Sequence, residues 1–309
     1  MSRLFFVPQF PTELRYQSFW YAEFPKQFKK HFDEVIVLGQ DYAENYDPEQ
    51  MFGSFSPVNN SINFETCQID QFMDYDIKDD DYLFLADLSF TGLFSNVLYH
   101  KHVKNAFSYY HAGAKNRFDY FESVRHSKYP CEIAHSKLFK KVFVGSEYHR
   151  KKIGWKNIEV VGLPVPSFKT FDEEKQYEII SVARPNKQKI TKSIEEKVER
   201  DFCKIERLIC NSWEQYYKFL SQANILLITS KEDTFNYSVM ESIMNKTVVL
   251  APNKCAFPEL LHKDYLYNNW DELRQKIWYY LKNNDPQEKL LNQELCDNFY
   301  ENVIRIMKG

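Results

Sequence analysis

Glycine is scarce in this chain, with eight residues in 309. That is about 3%, whereas roughly 7% is usual for globular proteins. The sequence contains no Gly-rich phosphate-binding loop of the Walker or dinucleotide type. A bound phosphate would therefore have to be held by cations and by the free N–H groups at helix ends.

Paired cysteines, long apolar runs and a strong charge imbalance are also absent. The six cysteines are scattered, which argues against a disulfide framework or a zinc site and fits a reducing cytosol. No stretch approaches the ~18 apolar residues of a membrane span, and the apolar part of MSRLFFVPQF is too short for a signal peptide. We expect a cytoplasmic protein. The formal net charge of −3 by itself indicates neither a nucleic acid nor a membrane partner.

The length suffices for two domains, and a hydrophobic content of 44% allows a packed core. Strand-like and helix-like segments alternate along the chain, which is typical of α/β domains with parallel sheets. We expect a first Rossmann-like domain over 1–168, ending at the Pro-rich linker GLPVPSF, and a second over 169–290. Residues 41–65 carry few regular signals and predict a long loop with short strands. The predicted strands are Leu4–Val7, Glu34–Leu38, Tyr82–Leu88, Ala106–Tyr110, Lys141–Val144, Ile158–Val161, Tyr177–Ala183, Ile205–Cys210, Ile225–Ile228 and Thr247–Ala251. The predicted helices are Tyr16–Phe32, Thr91–Val103, one from Ser146, Ile190–Asp201, Trp213–Gln222, one through Val239 and Met244, Leu273–Asn283 and Leu291–Met307.

The stretch from Ile225 to Leu261 is the most informative. A short buried strand is followed by polar residues that can cap a helix, then by apolar residues at helical spacing, then by a second strand. The N-terminus of that helix is expected at the carboxyl edge of a parallel sheet, where ligands bind. Its free N–H groups and positive dipole end favour a phosphate.

This stretch resembles the donor-binding motif of retaining GT-B glycosyltransferases, especially glycosyltransferase family 4. That family has a carboxylate, seven intervening residues and a Glu, as Asp233 and Glu241 do here, and Phe235-Asn236 occupies its Phe-Gly position. Asp stands where the family has Glu, although Glu232 is adjacent. Asn tolerates the positive φ for which a Gly would be used. The alternative is an ordinary βαβ unit with Glu241 on a solvated helix face.

The resemblance implies an α/β GT-B architecture, in which two Rossmann-like domains have parallel sheets facing a cleft and a C-terminal helix, here 291–309, crosses back to the first domain. It also implies a cationic pair, Arg184 and Lys189, that neutralises the diphosphate of a nucleotide-sugar, although Ile190 replaces the Gly of relatives. Two cations near a leaving diphosphate stabilise its developing charge. Taken alone, these two residues are better explained as a surface pair of cations in a strand–helix loop; together with Asp233 and Glu241 they favour the functional role.

The resemblance further assigns a role to each position. Glu241 would accept the ribose hydroxyls and Asp233 would hold hydroxyls of the transferred hexosyl or pentosyl group. His111, after a first-domain strand, matches a family His near the donor sugar, or it is structural. The donor-side set is completed by Ser230, Phe235, Asn236 and Tyr237, and the backbone N–H groups of Phe235 to Tyr237 would face the diphosphate. Transfer in this class retains anomeric configuration, and the leaving phosphate takes the acceptor proton. We expect no metal and no cofactor, with a UDP-linked nucleotide-sugar as substrate.

Charge is distributed unevenly along the chain. Residues 1–98 hold six Lys and Arg against sixteen Asp and Glu, whereas residues 99–156 hold thirteen against four and six of the eight histidines. Basic residues interleaved with aromatic ones suit phosphate contacts and base stacking. An anionic membrane surface would also attract them, and a solvated basic face is the plainest alternative.

Within this segment, YYHAGAKNRFDYFESVRHSKYP and HSKLFKKVFVGSEYH resemble small phage-type glycosyltransferases, some of which modify hydroxymethylated bases in DNA. The resemblance suggests a DNA acceptor bound through residues 99–156, in the host cytoplasm if the protein is phage-encoded. We assign acceptor contacts to Asp87, Lys115, Arg117, Lys151 and Lys152. Charge reversal at Lys151 and Lys152 should then weaken DNA binding and spare donor hydrolysis. A glycan or lipid-linked acceptor, and a non-catalytic nucleotide- or nucleic-acid-binding protein, are the rival hypotheses.

Overall fold

The two sheets predicted from the sequence are present in a computed structural model of the chain, and each is built from parallel strands. The structure describes residues 2–12, 16–44, 57–89, 92–118, 121–166, 170–183, 190–207, 210 and 212–309, with only the backbone at 57–60. The predicted linker ends in 167–169, outside these ranges, so the domain boundary stays a prediction.

Ten strands and thirteen α-helices lie in the described ranges. The strands are β1 (Arg3–Val7), β2 (Glu34–Val37), β3 (Tyr82–Leu85), β4 (Asn105–Tyr109), β5 (Lys141–Val144), β6 (Ile158–Val160), β7 (Tyr177–Ile180), β8 (Ala223–Leu227), β9 (Val248–Pro252) and β10 (Leu266–Tyr267). The helices are α1 (Tyr16–Phe28), α2 (Gln40–Glu44), α3 (Pro57–Met73), α4 (Leu93–Val97), α5 (Arg125–Ser136), α6 (Glu147–Ile153), α7 (Lys192–Asp201), α8 (Trp213–Ser221), α9 (Tyr237–Met244), α10 (Phe257–Leu260), α11 (Trp270–Asn283), α12 (Gln293–Asp297) and α13 (Phe299–Lys308).

The first sheet has the strand order β2-β1-β3-β4-β5-β6, and the second has the order β10-β9-β8-β7. In the first sheet the order reverses at β1, which pairs with β2 on one side and with β3 on the other. The connections that leave the carboxyl ends of β1 and β3 therefore diverge to opposite sides. Open parallel sheets bind ligands in the crevice at such a switch point.

Aromatic packing joins the end of the chain to the first domain. The ring of Phe299 on α13 lies 5.7 Å from that of Phe24 on α1 and 6.2 Å from that of Tyr109 on β4. Phe24 and Phe299 are fully buried. The C-terminal segment therefore crosses back onto the first domain, as the resemblance implied.

Several predicted elements differ from the observed ones. The predicted loop over 41–65 was wrong, because α2 and α3 occupy much of it. The buried side chains of α3 recur at helical spacing, but the polar residues between them hide this spacing in the sequence. The predicted helix over Thr91–Val103 is reduced to Leu93–Val97, and the last helix is divided at Asn298. Within the described part of Ile205–Cys210 there is one bridge, between Ile180 and Glu206. Helix α5, which contains Pro130, was not predicted.

Among the described helices, none has both the length and the apolar character needed to cross a membrane.

Candidate active site

The loop between β8 and α9 lies against the carboxyl edge of the first sheet. Thr234 Oγ1 donates a hydrogen bond to the backbone O of His111 at 3.0 Å, and Ser146 Oγ donates to the backbone O of Thr234 at 2.5 Å. On the same side, a Cβ added to Gly145 would lie 3.1 Å from the ring of Phe235, so a larger residue there would crowd the contact between the two domains. The loop that carries the predicted donor-binding residues is therefore part of a cleft between the two sheets.

His111 lies in an aromatic cluster to which both domains contribute. Its ring is 4.1 Å from the ring of Tyr16, 5.8 Å from that of Trp20 and 6.5 Å from that of Tyr237, measured between centroids. Trp20 Nε1 donates to Tyr237 Oη at 2.8 Å. Sequence reasoning missed Tyr16 and Trp20, because both have the spacing of ordinary core residues on α1.

Asn236 caps α9, which fixes the start of the helix at Tyr237. Its Oδ1 accepts a hydrogen bond from Ser238 N at 3.0 Å, and its Nδ2 donates to Asp233 Oδ2 at 3.2 Å. The φ angle at Asn236 is −158°, which is extended backbone, so this position does not need the positive φ that Asn could have tolerated. Asn at an N-cap accepts from the first-turn N–H groups. Ser238 N and Val239 N already donate to Oδ1 and to the backbone O of Asn236, while the positive end of the helix dipole favours an anion.

The two adjacent acids, Glu232 and Asp233, have different surroundings. Glu232 is 7% exposed, accepts from the backbone N of Arg117 at 2.9 Å and from Tyr148 Oη at 3.3 Å, and forms an ion pair with Lys152. All three partners belong to the first domain. Asp233 is less buried and lies beside the cap of α9. Glu232 therefore joins the two domains, whereas Asp233 lies at the helix end.

Glu241 is deeply buried on α9, with 5% of its surface exposed. Its Oε2 accepts a hydrogen bond from Tyr216 Oη, on α8, at 2.7 Å. Burial raises the pKa of the Glu241 carboxyl to about 7, and the bond from Tyr216 only partly opposes that rise. The alternative of a solvated helix face is thereby wrong. Sequence reasoning missed Tyr216, which lies on a separate helix.

Arg184 and Lys189 lie outside the described residues. The chain on either side of them is anchored at the carboxyl edge of the second sheet. Arg207 donates to the backbone O of Ala183 at 3.0 Å and forms an ion pair with Glu195 at 2.7 Å. On the other side, Thr191 Oγ1 donates to the backbone O of Thr229 at 2.7 Å. Arg207 is a cation that sequence reasoning missed, although it lies within the predicted strand Ile205–Cys210.

Other donor-side residues are buried. Ser230 is 3% exposed and follows β8 at the sheet edge, and Phe235 is 5% exposed. Neither residue therefore presents a solvent-facing side chain in this structure.

The predicted acceptor residues fall into two groups. Asp87 follows β3 and is 4% exposed. It accepts from the N of Ser89 at 2.9 Å and from its Oγ at 2.6 Å, and burial raises the pKa of the Asp87 carboxyl to about 6. The four predicted cations form the second group, and they differ in exposure. Lys115 Nζ donates to the backbone O of Ile153 at 3.1 Å, and Lys152 pairs with Glu232. Arg117 and Lys151 are exposed to solvent.

The basic segment, residues 99–156, places many basic side chains at the protein surface. Arg150 pairs with Glu147, on the same helix. Solvent-exposed basic members of the segment are His100, His102, Lys104, Arg117, His126, Lys137, Lys140, Arg150, Lys151 and Lys156. Ten exposed basic side chains on one segment favour an anionic partner of some length over a single small anion.

No family model matches the chain. Among solved structures, sucrose-phosphate synthase from Thermosynechococcus elongatus superposes with a TM-score of 0.64 at 10% identity, covering 100% of this chain and 98% of that one. The lipopolysaccharide outer core galactosyltransferase WaaB superposes with a TM-score of 0.63 at 13% identity, covering 100% of both chains. The chain has the GT-B fold.

Two further similarities cover only parts of longer proteins. S. aureus TarM, in a complex with UDP and alpha-GlcNAc-glycerol, superposes with a TM-score of 0.52 at 14% identity over 77% of this chain and 54% of TarM. A tRNA-queuosine alpha-mannosyltransferase of Drosophila melanogaster is 27% identical over 89 residues, which are 29% of this chain and 22% of that protein. The chain thus spans well under two thirds of either protein.

Proposed function

We propose that the chain is a retaining glycosyltransferase of the family 4 type, which moves a sugar from a UDP-linked donor to a hydroxyl of a modified base in nucleic acid. The observation that carries the proposal is the contact between the β8–α9 loop and His111. It brings a carboxylate, a capped helix N-terminus and a histidine from the other domain to one cleft of a GT-B fold. Glycosyltransferases and enzymes of sugar-phosphate synthesis share this fold.

Each residue then has a role in the cleft. Glu241 accepts the ribose hydroxyls, and Asp233 holds hydroxyls of the transferred sugar. The backbone N–H groups of Phe235 to Tyr237 face the diphosphate, and Arg184 and Lys189 neutralise it. His111 lies against the sugar from the first domain.

The reaction proceeds on one face of the sugar. The bond from the anomeric carbon to the diphosphate oxygen breaks, and the electron pair stays on UDP. The acceptor oxygen forms the new bond on the same face, and its proton passes to the departing phosphate oxygen. Donors aimed at the developing phosphate charge contribute most to such a step, and removing one typically lowers kcat by about 10²–10³.

The leading acceptor is a hydroxymethylated base in DNA. The exposed basic side chains of residues 99–156 favour a polyanion, and two residues of this segment, Arg117 and Lys152, contact Glu232 at the cleft. A base inside a duplex must be flipped out to reach such a cleft.

The test is transfer of labelled sugar from a panel of uridine- and guanosine-diphosphate sugars. The acceptors are a duplex with 5-hydroxymethylcytosine and the same duplex with cytosine. Transfer to the first duplex alone, lost in Glu241→Gln and Lys189→Ala but kept in the exposed control Glu288→Gln, is the expected result. Absence of both transfer and hydrolysis with every donor, in a folded protein, would refute the enzyme and favour a non-catalytic binding protein.

A tRNA base is the second candidate, because the Drosophila relative is a tRNA-queuosine alpha-mannosyltransferase. The same assay with tRNA from cells that make queuosine and from cells that lack it separates the two. Transfer to neither nucleic acid, with donor hydrolysis intact, would instead indicate a glycan or lipid-linked acceptor.

A further inference from the structure

Asp87 lies just beyond the carboxyl end of β3, where the connections that leave three neighbouring strands meet. Strands β1, β3 and β4 are adjacent in the first sheet, so the residues that follow them converge at one edge. Asp87 is 4% exposed there. The groups that donate hydrogen bonds to its carboxylate come from all three of these connections.

Both carboxyl oxygens of Asp87 accept hydrogen bonds from the protein itself. Ser89, which also follows β3, donates to Oδ1 from its backbone N at 2.9 Å and from its Oγ at 2.6 Å. Gln9, which follows β1, donates from Nε2 to Oδ2 at 3.2 Å. Burial raises the pKa of this carboxyl to about 6, so it is ionised at pH 8. An ionised carboxylate only accepts, and it is therefore suited to hold several donors at once.

Two further donors to Asp87 belong to the surroundings of His111, which follows β4. The backbone N of His111 donates to the carboxylate, and Tyr16 Oη donates to Oδ2 at 3.4 Å. The centroid of the Tyr16 ring lies 4.1 Å from that of the His111 ring. Asp87 therefore holds His111 twice, through its main chain and through the ring that packs against its side chain.

The other side of His111 is held by the second domain. Thr234 Oγ1 donates to the backbone O of His111 at 3.0 Å, and the ring of Tyr237 lies 6.5 Å from the imidazole, at 22° to it. A shift of Asp87 or Tyr16 would consequently move the imidazole relative to the predicted position of the donor sugar. The nucleotide-binding groups of the second domain would stay in place.

We propose that Asp87 is a positioning residue, which orients the His111 imidazole toward the transferred sugar through Tyr16 and the main chain. It does not touch the acceptor, because its carboxylate is buried and already bonded. The inference rests on the proposed function, since that function gives His111 a sugar to contact. Misplacing a group at the reacting centre by about 1 Å can lower the rate by about 10²-fold. The effect should fall on kcat, whereas the KM of the donor depends mainly on contacts of its nucleotide with the second domain.

The experiment is a double-mutant cycle on donor hydrolysis at pH 8, with the nucleotide-sugar that the donor panel identifies. Asp87→Asn should lower kcat by about tenfold or more and leave the donor KM nearly unchanged. In a His111→Ala background it should have little further effect, because the side chain that Asp87 positions is gone. Additive losses in the double mutant would overturn the proposal. Tyr16→Phe removes only the hydroxyl that reaches Asp87 and should lower kcat in the same way, which keeps the test open if Asp87→Asn fails to fold.

The matched control is Asp81→Asn. Asp81 is also a buried carboxyl, at the opposite end of β3, where it accepts from Arg3 at 2.6 Å and 3.0 Å. Asp81→Asn should lower the melting temperature but leave kcat unchanged, because Asp81 is at the far end of the strand from His111. An equal loss of kcat in Asp81→Asn and Asp87→Asn would show a general effect on stability and overturn the proposal.

A second measurement does not depend on turnover. The ring current of Tyr16 should shift the NMR resonance of the His111 Hε1 proton, which is identified by its loss in His111→Ala. In the unliganded protein this resonance should move in Asp87→Asn and Tyr16→Phe and stay in place in Asp81→Asn. An unmoved resonance in Asp87→Asn would overturn the proposal even in an active enzyme. A moved resonance in a protein without turnover would support the positioning of His111 and refute the proposed reaction instead.

Discussion

Tyr216 Oη donates a 2.7 Å hydrogen bond to Glu241 Oε2 between two neighbouring helices of the second domain. The carboxylate that the motif assigns to the nucleotide ribose therefore has a partner inside the protein before any donor binds. Because Glu241 is buried, that single bond leaves the pKa of its carboxyl raised, at about 7. Donor binding should consequently be coupled to the ionisation of this group.

The first prediction is that donor binding releases a proton. Ribose hydroxyls donate to the ionised carboxylate and so favour it, which lowers the pKa of Glu241 from about 7. At pH 6 binding of UDP-glucose, whose diphosphate does not titrate there, should release close to one proton, and at pH 8.5 close to none. Calorimetry in two buffers of different ionisation enthalpy measures this number. If proton release persists in Glu241→Gln, the proton comes from another group and the prediction is wrong.

The second prediction concerns Tyr216→Phe. Without the phenol hydroxyl, the buried Glu241 carboxylate loses its side-chain donor, and such a loss costs about 1–3 kcal/mol. The loss should be larger at pH 8, where the carboxyl is ionised, than at pH 5, where it is neutral. Urea unfolding at both pH values tests this, with Tyr279→Phe, an exposed tyrosine on α11, as control. An equal loss at the two pH values would contradict the coupling.

The third prediction separates the adjacent acids. Glu232→Gln weakens the contacts with Arg117, Tyr148 and Lys152, so the cleft should open and the radius of gyration from X-ray scattering should increase. Asp233→Asn should leave the scattering unchanged and lower transfer by about 10²-fold or more. The reverse pattern would make Glu232 the sugar-binding acid.

The fourth prediction refines the charge-reversal test on the basic segment. Lys152 pairs with Glu232 in the cleft, so its reversal would disturb the domain contact as well as any DNA contact. Lys151 is exposed, and Lys151→Glu should weaken DNA binding while donor hydrolysis stays intact. If one phosphate contact is lost, the magnitude of the slope of log affinity against log salt concentration should fall by about 0.9. Lys282→Glu, on the exposed side of α11, is the matched control. An unchanged DNA affinity would remove this surface from the acceptor site.

The fifth prediction concerns stability against pH. Burial raises the pKa of the Glu132 carboxyl to about 7, from 4.5. Between pH 4.5 and 7 the folded protein therefore keeps a proton on Glu132 that the unfolded chain has lost. The free energy of unfolding should consequently fall as pH rises from about 4.5 to 7. Glu132→Gln should flatten this fall, and the exposed control Glu301→Gln should not. Urea titrations from pH 4.5 to 8 provide the measurement; parallel profiles for wild type and Glu132→Gln would contradict it.

Sequence reasoning predicted the elements whose signals are local. The short apolar strands from Leu4 to Ala251 were found to within a few residues, because buried parallel strands are continuous apolar runs bounded by polar residues. It failed at α3, where polar residues dilute the helical spacing, and at the end of the chain, where Asn298 divides one apolar stretch into two helices.

For the site, the motif indicated which residues belong to one helix start, and the cap by Asn236 follows from its residue type. Its conformation did not follow, because the motif compares Asn236 with a glycine, whereas the backbone there is extended. The positions of Arg184 and Lys189 stay predictions from the motif.

By itself, the sequence determined the two parallel sheets, the order of their strand and helix segments, and the position of a helix N-terminus beside Asp233. Periodicity and capping act over a few residues, so they are visible in a single chain. Only the tertiary structure decided that Glu232 pairs with Lys152, that Tyr216 holds Glu241, and that Gln9 and Gln68 line one cavity. The first pair is 80 residues apart in the sequence and the second is 25 apart. Burial, which sets their charge and hydrogen-bonding needs, is a property of the folded molecule.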